Sequence, residues 1–303
     1  MDNQKYHDID EVMPPPAKWS QDRRLRFIDF RLRWDGKVNR RDLIDYFEIS
    51  LPQASADFFK YSEAAPNNLS YDVRLRTYQR GEKFESLYSR SAPMAYLNDL
   101  LAVKLEIVES KSSFIGWLPE VGIAPTPPRP VDGSVLAIAL DAIREKRKVS
   151  LTYQSMSRPE PVEREISPHA LGYDGFRWHV RAYCHLRENY QDFVFGRMTN
   201  VVLGASTEKT GADDDEWNKI LTLEIAAHPG LPIGAKRAIE MEYGMKDGFV
   251  ALQCRQSLLF YALGRLGLRT RGTDVESESN GAAQQIVLRN RADLEPYLVK
   301  VKP

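Results

Sequence analysis

The stretch Ala170-Leu-Gly-Tyr-Asp-Gly-Phe-Arg-Trp-His-Val-Arg-Ala-Tyr-Cys184 decides how this chain folds. Asp174-Gly175 is the dipeptide favoured in tight type I′ turns, so residues 170–173 and 176–183 are expected to form a β-hairpin. Side chains alternate across a strand, which puts Phe176, Trp178, Val180 and Ala182 on one face and Arg177, His179, Arg181 and Tyr183 on the other. The first face reads as core, Trp178 included. The second suits phosphates or stacked bases, because guanidinium forks grip phosphate oxygens and aromatic rings stack on bases. A strand whose arginines merely face water gives the same pattern.

Working outward, residues 134–146 read as a helix, and 148–155 as a strand in which Val149, Leu151 and Tyr153 alternate with polar residues. Beyond the hairpin, strands are expected at 217–226, 248–254 and 284–289, with helices at 232–245 and 255–268, together a compact α+β unit. Two linkers divide the chain: 119–130 is punctuated by proline, and 204–216 is polar, glycine-containing and acidic. The expected order is an amino-terminal domain over 1–92, a connecting helix and linker over 93–130, a central domain over 131–205 and a C-terminal domain over 206–303.

At the amino end, Ser20 is a good N-cap, Leu25, Ile28 and Leu32 keep helical spacing, and Gly36 stops the pattern. A second helix opens at Asn39 and presents Leu43, Ile44 and Phe47. Ser50 and Gln53 form a capping-box signature that opens a third. There Ala54 and Phe58 turn inward, leaving Pro52, Gln53, Ser55, Ala56 and Lys60 to meet base edges, as in a helix-turn-helix. Leu69, Tyr71, Val73 and Leu75 alternate with Ser70, Asp72, Arg74 and Arg76 in an expected strand, the wing. The formal net charge is zero, but residues 18–41 hold nine Lys/Arg against three Asp. That electropositive end suits phosphate contacts, and Arg40, Arg41, Tyr71, Arg74 and Arg76 join the third helix as candidate DNA contacts. Charge runs of this kind also decorate ordinary solvated helices. Residues 94–108, with Leu97, Leu100, Leu101, Leu105 and Val108 on one side, read as a connecting helix.

Other classes are disfavoured. Cys184 and Cys254 lie far apart, and His7, His169, His179, His185 and His228 fall into no metal or catalytic constellation, so neither enzyme activity nor a cofactor or metal is expected. No run approaches the ~20 apolar residues of a membrane span, and the first residues lack a signal-peptide core, so a cytoplasmic protein is expected.

Tyr153-Gln-Ser-Met-Ser157, Ile166-Ser-Pro-His169, Arg177-Trp-His-Val-Arg-Ala-Tyr-Cys184 and Gly196-Arg197 resemble the WYL domain, with Trp178-His179-Val180 standing where the eponymous tripeptide would be. With the winged helix ahead of it, the chain resembles, over about 18–300, the BrxR/CapW group of transcriptional regulators found with bacterial phage-defence systems. The resemblance implies a small Sm-like barrel followed by a WCX extension that helps to form a homodimer and can border the ligand site. It implies ligand-facing Tyr153, Ser155, Ser157, Arg164, His169, Arg177, His179, Arg181 and Arg197. The four arginines would hold phosphate or another anion, the serines would add hydroxyl hydrogen bonds, and His169 would either meet the ligand or tie its loop to the barrel. Arg265, Arg269 and Arg271 would border the site or simply end a solvated helix. The implied function is repression of a phage-defence operon from a palindromic operator, relieved by a nucleotide or nucleic-acid ligand. The alternative is a non-catalytic accessory protein that holds single-stranded nucleic acid and modulates a partner enzyme.

Overall fold

The computed structural model describes residues 16–88, 92–268 and 284–298, side chains 16–20 excepted. The chain divides into two compact units, Met1–Pro125 and Thr126–Pro303.

In the first unit, α1 (Pro16–Asp35), β1 (Lys37–Val38), α2 (Arg40–Phe47) and α3 (Leu51–Ala64) precede a hairpin of β2 (Leu69–Asp72) and β3 (Thr77–Arg80). Helix α1 begins at Pro16 rather than after Ser20. The reciprocal capping box falls on α2: Asn39 Oδ1 accepts from Asp42 N at 3.0 Å, and Asp42 Oδ2 from Asn39 N at 2.7 Å. At α3 the expected box is one-sided. Ser50 Oγ accepts from Gln53 N at 3.3 Å, but the Gln53 side chain turns to Asp57 Oδ1 at 3.2 Å. Phe27, Ile28, Leu32, Leu43, Ala54, Phe58 and Tyr61 form the core.

The expected strand over 69–76 breaks halfway. Asp72 Oδ1 accepts from Arg74 N at 2.8 Å and Leu75 N at 3.0 Å, and Arg76 adopts a left-handed φ of 50°. This Asx-type turn reverses the chain, so Arg74 and Arg76 sit at the wing tip rather than along a strand. Tyr71 pairs with Tyr78, and the sheet order is β1-β3-β2. The connecting helix, α4 (Pro93–Lys104), ends earlier than expected; it buries Leu100 near Phe30 and Ile115 and leaves Leu97 and Leu101 exposed.

The second unit opens with α5 (Gly133–Glu145), capped by Asp132, whose Oδ1 accepts from Ser134 N at 2.8 Å. Then come β4 (Arg147–Tyr153), β5 (Val162–Tyr173), β6 (Trp178–Cys184), β7 (Asn189–Val194) and β8 (Met198–Ser206). They form an antiparallel sheet, order β7-β6-β5-β4-β8, with bulges in the β4–β8 and β5–β6 ladders. Among the described residues no ladder joins β7 to β8. Val135, Ala139 and Ala142 of α5 pack on Val149, Leu151, Ile166, Val180, Ala182 and Phe193.

The hairpin resumes at Trp178, two residues later than expected. Asp174 Oδ1 accepts from Phe176 N and Arg177 N, both at 2.8 Å, and widens the loop beyond a two-residue turn. Trp178 is 49% exposed and Phe176 59%, so neither belongs to the core. Phe176 lies in the loop, and Trp178, at the strand's mouth, packs against Tyr173 at 4.8 Å between ring centroids. Further along β6 both faces are covered: Val180 and Ala182 by the core, His179 and Arg181 by residues from beyond 190.

The rest comprises α6 (Asp215–Asn218), β9 (Ile220–Ala227), α7 (Ile233–Glu242), β10 (Phe249–Arg255), α8 (Leu259–Arg265), β11 (Ile286–Leu288) and a last helix, Arg291–Leu298, with sheet order β10-β9-β11. The strand expected from Trp217 starts only at Ile220, because Asp214 Oδ1 accepts from Trp217 N at 3.1 Å and caps a helical turn. The helix expected from Arg255 opens as a 3-10 turn, Gln256–Leu258, before α8. Nor is 204–216 a free linker: it begins inside β8 and carries the buried Asp214.

Candidate functional site

In the first unit, α3 exposes Pro52, Ala56 and Lys60 and half-exposes Gln53 and Ser55. Lys60 Nζ donates to Gln21 Oε1 at 2.7 Å. Exposed Leu51 and Phe59 lie on the same helix, apolar groups that the reading of polar contacts passed over. Arg40 braces the wing: its Nη2 donates to the Tyr78 hydroxyl at 2.6 Å, and its guanidinium lies 5.6 Å from the Tyr71 ring and 5.3 Å from the Tyr78 ring. Arg41 is solvated, with Asp45 3.5 Å away, and Val73, Arg74, Leu75 and Arg76 are all exposed at the wing tip. Much of the basic run is spent inside the unit. Arg24 is buried on Asp57 at 2.5 Å, Arg26 pairs with Asp22 at 2.6 Å, and Arg31 with Asp35 at 2.5 Å. The positive surface is therefore smaller than the sequence count suggests.

The second unit holds a cavity of about 490 Å³ between the β-sheet domain and the C-terminal elements. Tyr153, Ser155, Ser157 and Arg164 line it from β4 and β5 and the loop between them; Arg177, Arg181 and Arg197 complete that wall. Opposite stand Gln256, Phe260, Tyr261 and Tyr297. Arg187, Asn189, Tyr190 and Gln191 also line it, from β7 and the turn before it, a strand that the sequence pattern did not single out.

Two expected ligand residues lie outside the lining. His169 Nε2 meets Asp214 Oδ2 at 3.0 Å, with its ring edge-on to Tyr190 and Trp217. His179 Nε2 meets Asp174 Oδ2 at 3.0 Å, and its ring lies 4.7 Å from Tyr261. Both tie strands to neighbouring segments. Arg265 packs against the hairpin loop, where a Cβ at Gly175 (φ +92°) would overlap its guanidinium. Arg269 and Arg271 lie outside the described residues.

The cavity's arginines differ sharply. Arg181 gives Nε to Asp214 Oδ2 at 2.7 Å and Nη2 to Asp214 Oδ1 at 2.9 Å, then reaches Glu216 Oε2 at 3.0 Å and Asp192 Oδ1 at 3.4 Å. Arg177 is held by Asp174 at 3.0 Å. Arg164 is only 6% exposed, and its Nη1 is buried without a hydrogen-bond partner among the described residues. A buried guanidinium N–H facing a cavity is costly unless an acceptor enters to meet it.

Burial alone would raise the Asp214 pKa, but the hydrogen bonds from His169 and Arg181 and the charge of Arg181 outweigh it and hold the carboxyl well below its usual range. Asp192 goes the other way: burial pushes it up despite Arg181, His179 and the Tyr261 hydroxyl. Burial, with Asp213 and Asp214 nearby, pushes the Tyr190 phenol up to about 12, so it stays a donor. Among the described residues no group of three or more His, Cys, Asp or Glu is placed to hold a metal ion, and no helix is long and apolar enough to cross a membrane.

Three family profiles match: the BrxR transcriptional regulator winged helix-turn-helix domain over 20–102, the WYL domain over 134–203, and the BrxR transcriptional regulator C-terminal dimerization domain over 220–294. The DNA-binding transcriptional repressor CapW of Escherichia coli (strain KTE188) is 42% identical over 282 residues, 93% of each chain. CapW of Stenotrophomonas maltophilia is 40% identical over 284 residues, and that of Pseudomonas aeruginosa 39% over 282, each again covering 93% of both chains. A solved structure of proteasome accessory factor B/C (PafBC) of Arthrobacter aurescens overlaps at TM-score 0.24 with 14% identity, covering 100% of this chain and 52% of that one, too loosely to add to the fold.

Proposed function

Since the chain belongs to the BrxR/CapW family of winged-helix, WYL-domain transcriptional regulators, we propose that it represses a phage-defence operon by holding a palindromic operator as a homodimer. A nucleotide or nucleic-acid ligand in the cavity then releases the DNA. On the DNA side, α3 and the wing offer Gln53, Ser55, Lys60 and Arg74 beside phosphate-binding Arg41 and Arg76, with Arg40 and Tyr71 bracing the wing and Pro52 and Ala56 fitting the groove floor. The buried, unpartnered Arg164 Nη1 carries the ligand half. It asks for an acceptor; Arg177 and Arg197 widen the cationic wall, Ser155 and Ser157 add donors, and Tyr153 and Tyr261 supply rings. For release to follow, the ligand must bind the arrangement that does not hold DNA more tightly.

Purified protein is titrated with duplex from upstream of its own gene and with a shuffled duplex, at near-physiological salt. Preference for the native duplex by ~10³-fold or more is expected of a sequence-reading regulator. Equal weak binding to both would sink operator reading and leave the single-strand accessory role.

A further inference from the structure

We propose that Glu216 is a tethered anion that competes with the cavity's ligand for Arg181, and that its displacement carries the signal to the C-terminal dimerization domain. This rests on the reading of the cavity as an anion site and names its regulation. Arg181 is 4% exposed and faces three carboxylates, which are unequal. Asp214, 1% exposed, takes two guanidinium hydrogens in parallel; Asp192, 10% exposed, is held at the long distance of 3.4 Å. Glu216 is 40% exposed, lines the cavity, and takes only the second hydrogen of Nη2. Its carboxylate regains water on leaving, so it is the cheapest of the three to replace.

A phosphate oxygen entering beside Arg164 and Arg197 meets that same N–H. Because the phosphate and Glu216 repel each other and share one donor, binding one expels the other. Glu216 sits in α6 next to Trp217. That residue's ring packs on His169 at 5.7 Å and lies 4.6 Å from the Arg255 guanidinium, while Arg255 Nη1 donates to Trp217 O at 2.5 Å. Arg255 ends β10, and β9 begins two residues beyond α6. Freeing Glu216 thus loosens the short turn that joins the cavity wall to the first two strands of the dimerization domain.

The test measures binding of adenosine monophosphate and of an eight-nucleotide oligothymidylate to the wild-type protein, Glu216→Gln and Glu216→Asp at 50 mM salt, with thermal melting to confirm folding. Glu216→Gln is expected to tighten the better probe by about tenfold, roughly what one charge-assisted hydrogen bond is worth. Glu216→Asp, a methylene too short to hold Arg181, should tighten it comparably, and both variants should release operator duplex at correspondingly lower probe concentration. Wild-type affinity in both variants overturns the proposal. So does a gain confined to Gln, which would mean diffuse repulsion rather than competition for Arg181. If no form binds either probe, the cavity reading itself fails.

Discussion

Arg24 in the first unit and Arg181 in the second are both almost wholly buried, yet only one of them faces a cavity. Arg24 meets one wholly buried carboxylate, Asp57, which also accepts from Gln21 and Gln53; the cluster joins α1 to α3 and pairs the buried cation with a buried anion. Arg181 meets three carboxylates, one of them half in water, beside Arg164, whose charge none of them meets. A buried arginine with its charge closed is architecture, whereas an imbalance of buried charges against a cavity marks a place where a ligand completes the count.

The sharpest way to break this contrast is to remove the main carboxylate from each arginine. Asp57→Ala and Asp214→Ala should each cost about 3–5 kcal/mol, the first because it strands the buried Arg24, the second because it takes from Arg181 the carboxylate that holds two of its hydrogens and leaves only Asp192 and Glu216. Chemical denaturation of the intact protein reads both losses. A small loss at Asp214, with a large one at Asp57, would mean that Glu216 and Asp192 suffice for Arg181 and that the cluster is more pliable than its geometry implies.

Arg164→Met should do the reverse. Replacing an unpaired buried cation with an apolar chain of similar length is expected to leave stability unchanged or raise it by about 1–2 kcal/mol, while phosphate-bearing ligands lose about tenfold or more in affinity. A destabilised Arg164→Met would show that the guanidinium already has its acceptor.

The two units also differ in how far their sequence could be read. Helix caps at Asn39 and Ser50, the turn residues at 174–175 and the Arg177–Cys184 string are local signals, and the elements they announce are present within a few residues. What escaped is long-range. Period two assigns β6 one wet face, but Asp214 and Tyr261 arrive from 33 and more positions away to cover it, so His179 and Arg181 became buried and Trp178 did not. Likewise nothing in the basic run announces that Arg24 will find Asp57. Of the expected ligand residues, those on β4, β5 and their connecting loop converge because strand register alone brings them together; the two histidines diverge because their partners lie in other segments.

Acid should weaken the second unit through the cluster. The Asp214 pKa is depressed in the fold, so the stability it contributes is present above the unfolded value of ~3.9 and is lost as pH falls toward the folded one. Asp192 is raised, so its ionised form is disfavoured in the fold and it opposes that trend. Denaturant midpoints from about pH 5 down to about pH 2 should fall with acid in the wild type and flatten in Asp214→Asn. An unchanged slope would place the acid sensitivity elsewhere.

The smallest expected effect belongs to the open surface of the first unit. Arg41, solvated and 3.5 Å from Asp45, should change stability by less than about 0.5 kcal/mol when replaced by alanine. Its loss should weaken every duplex alike and lower the salt slope by about one, the signature of a single phosphate contact. Gln53→Ala should instead act on sequence, costing about 1–3 kcal/mol at one base step and leaving the salt slope alone. Gln53 is already hydrogen-bonded to Asp57, so reading a base requires it to leave a partner, as Glu216 would have to leave Arg181. If Gln53→Ala changed only stability, that side chain would be part of the closed pair after all, and the reading surface would shrink to Ser55, Lys60 and the wing.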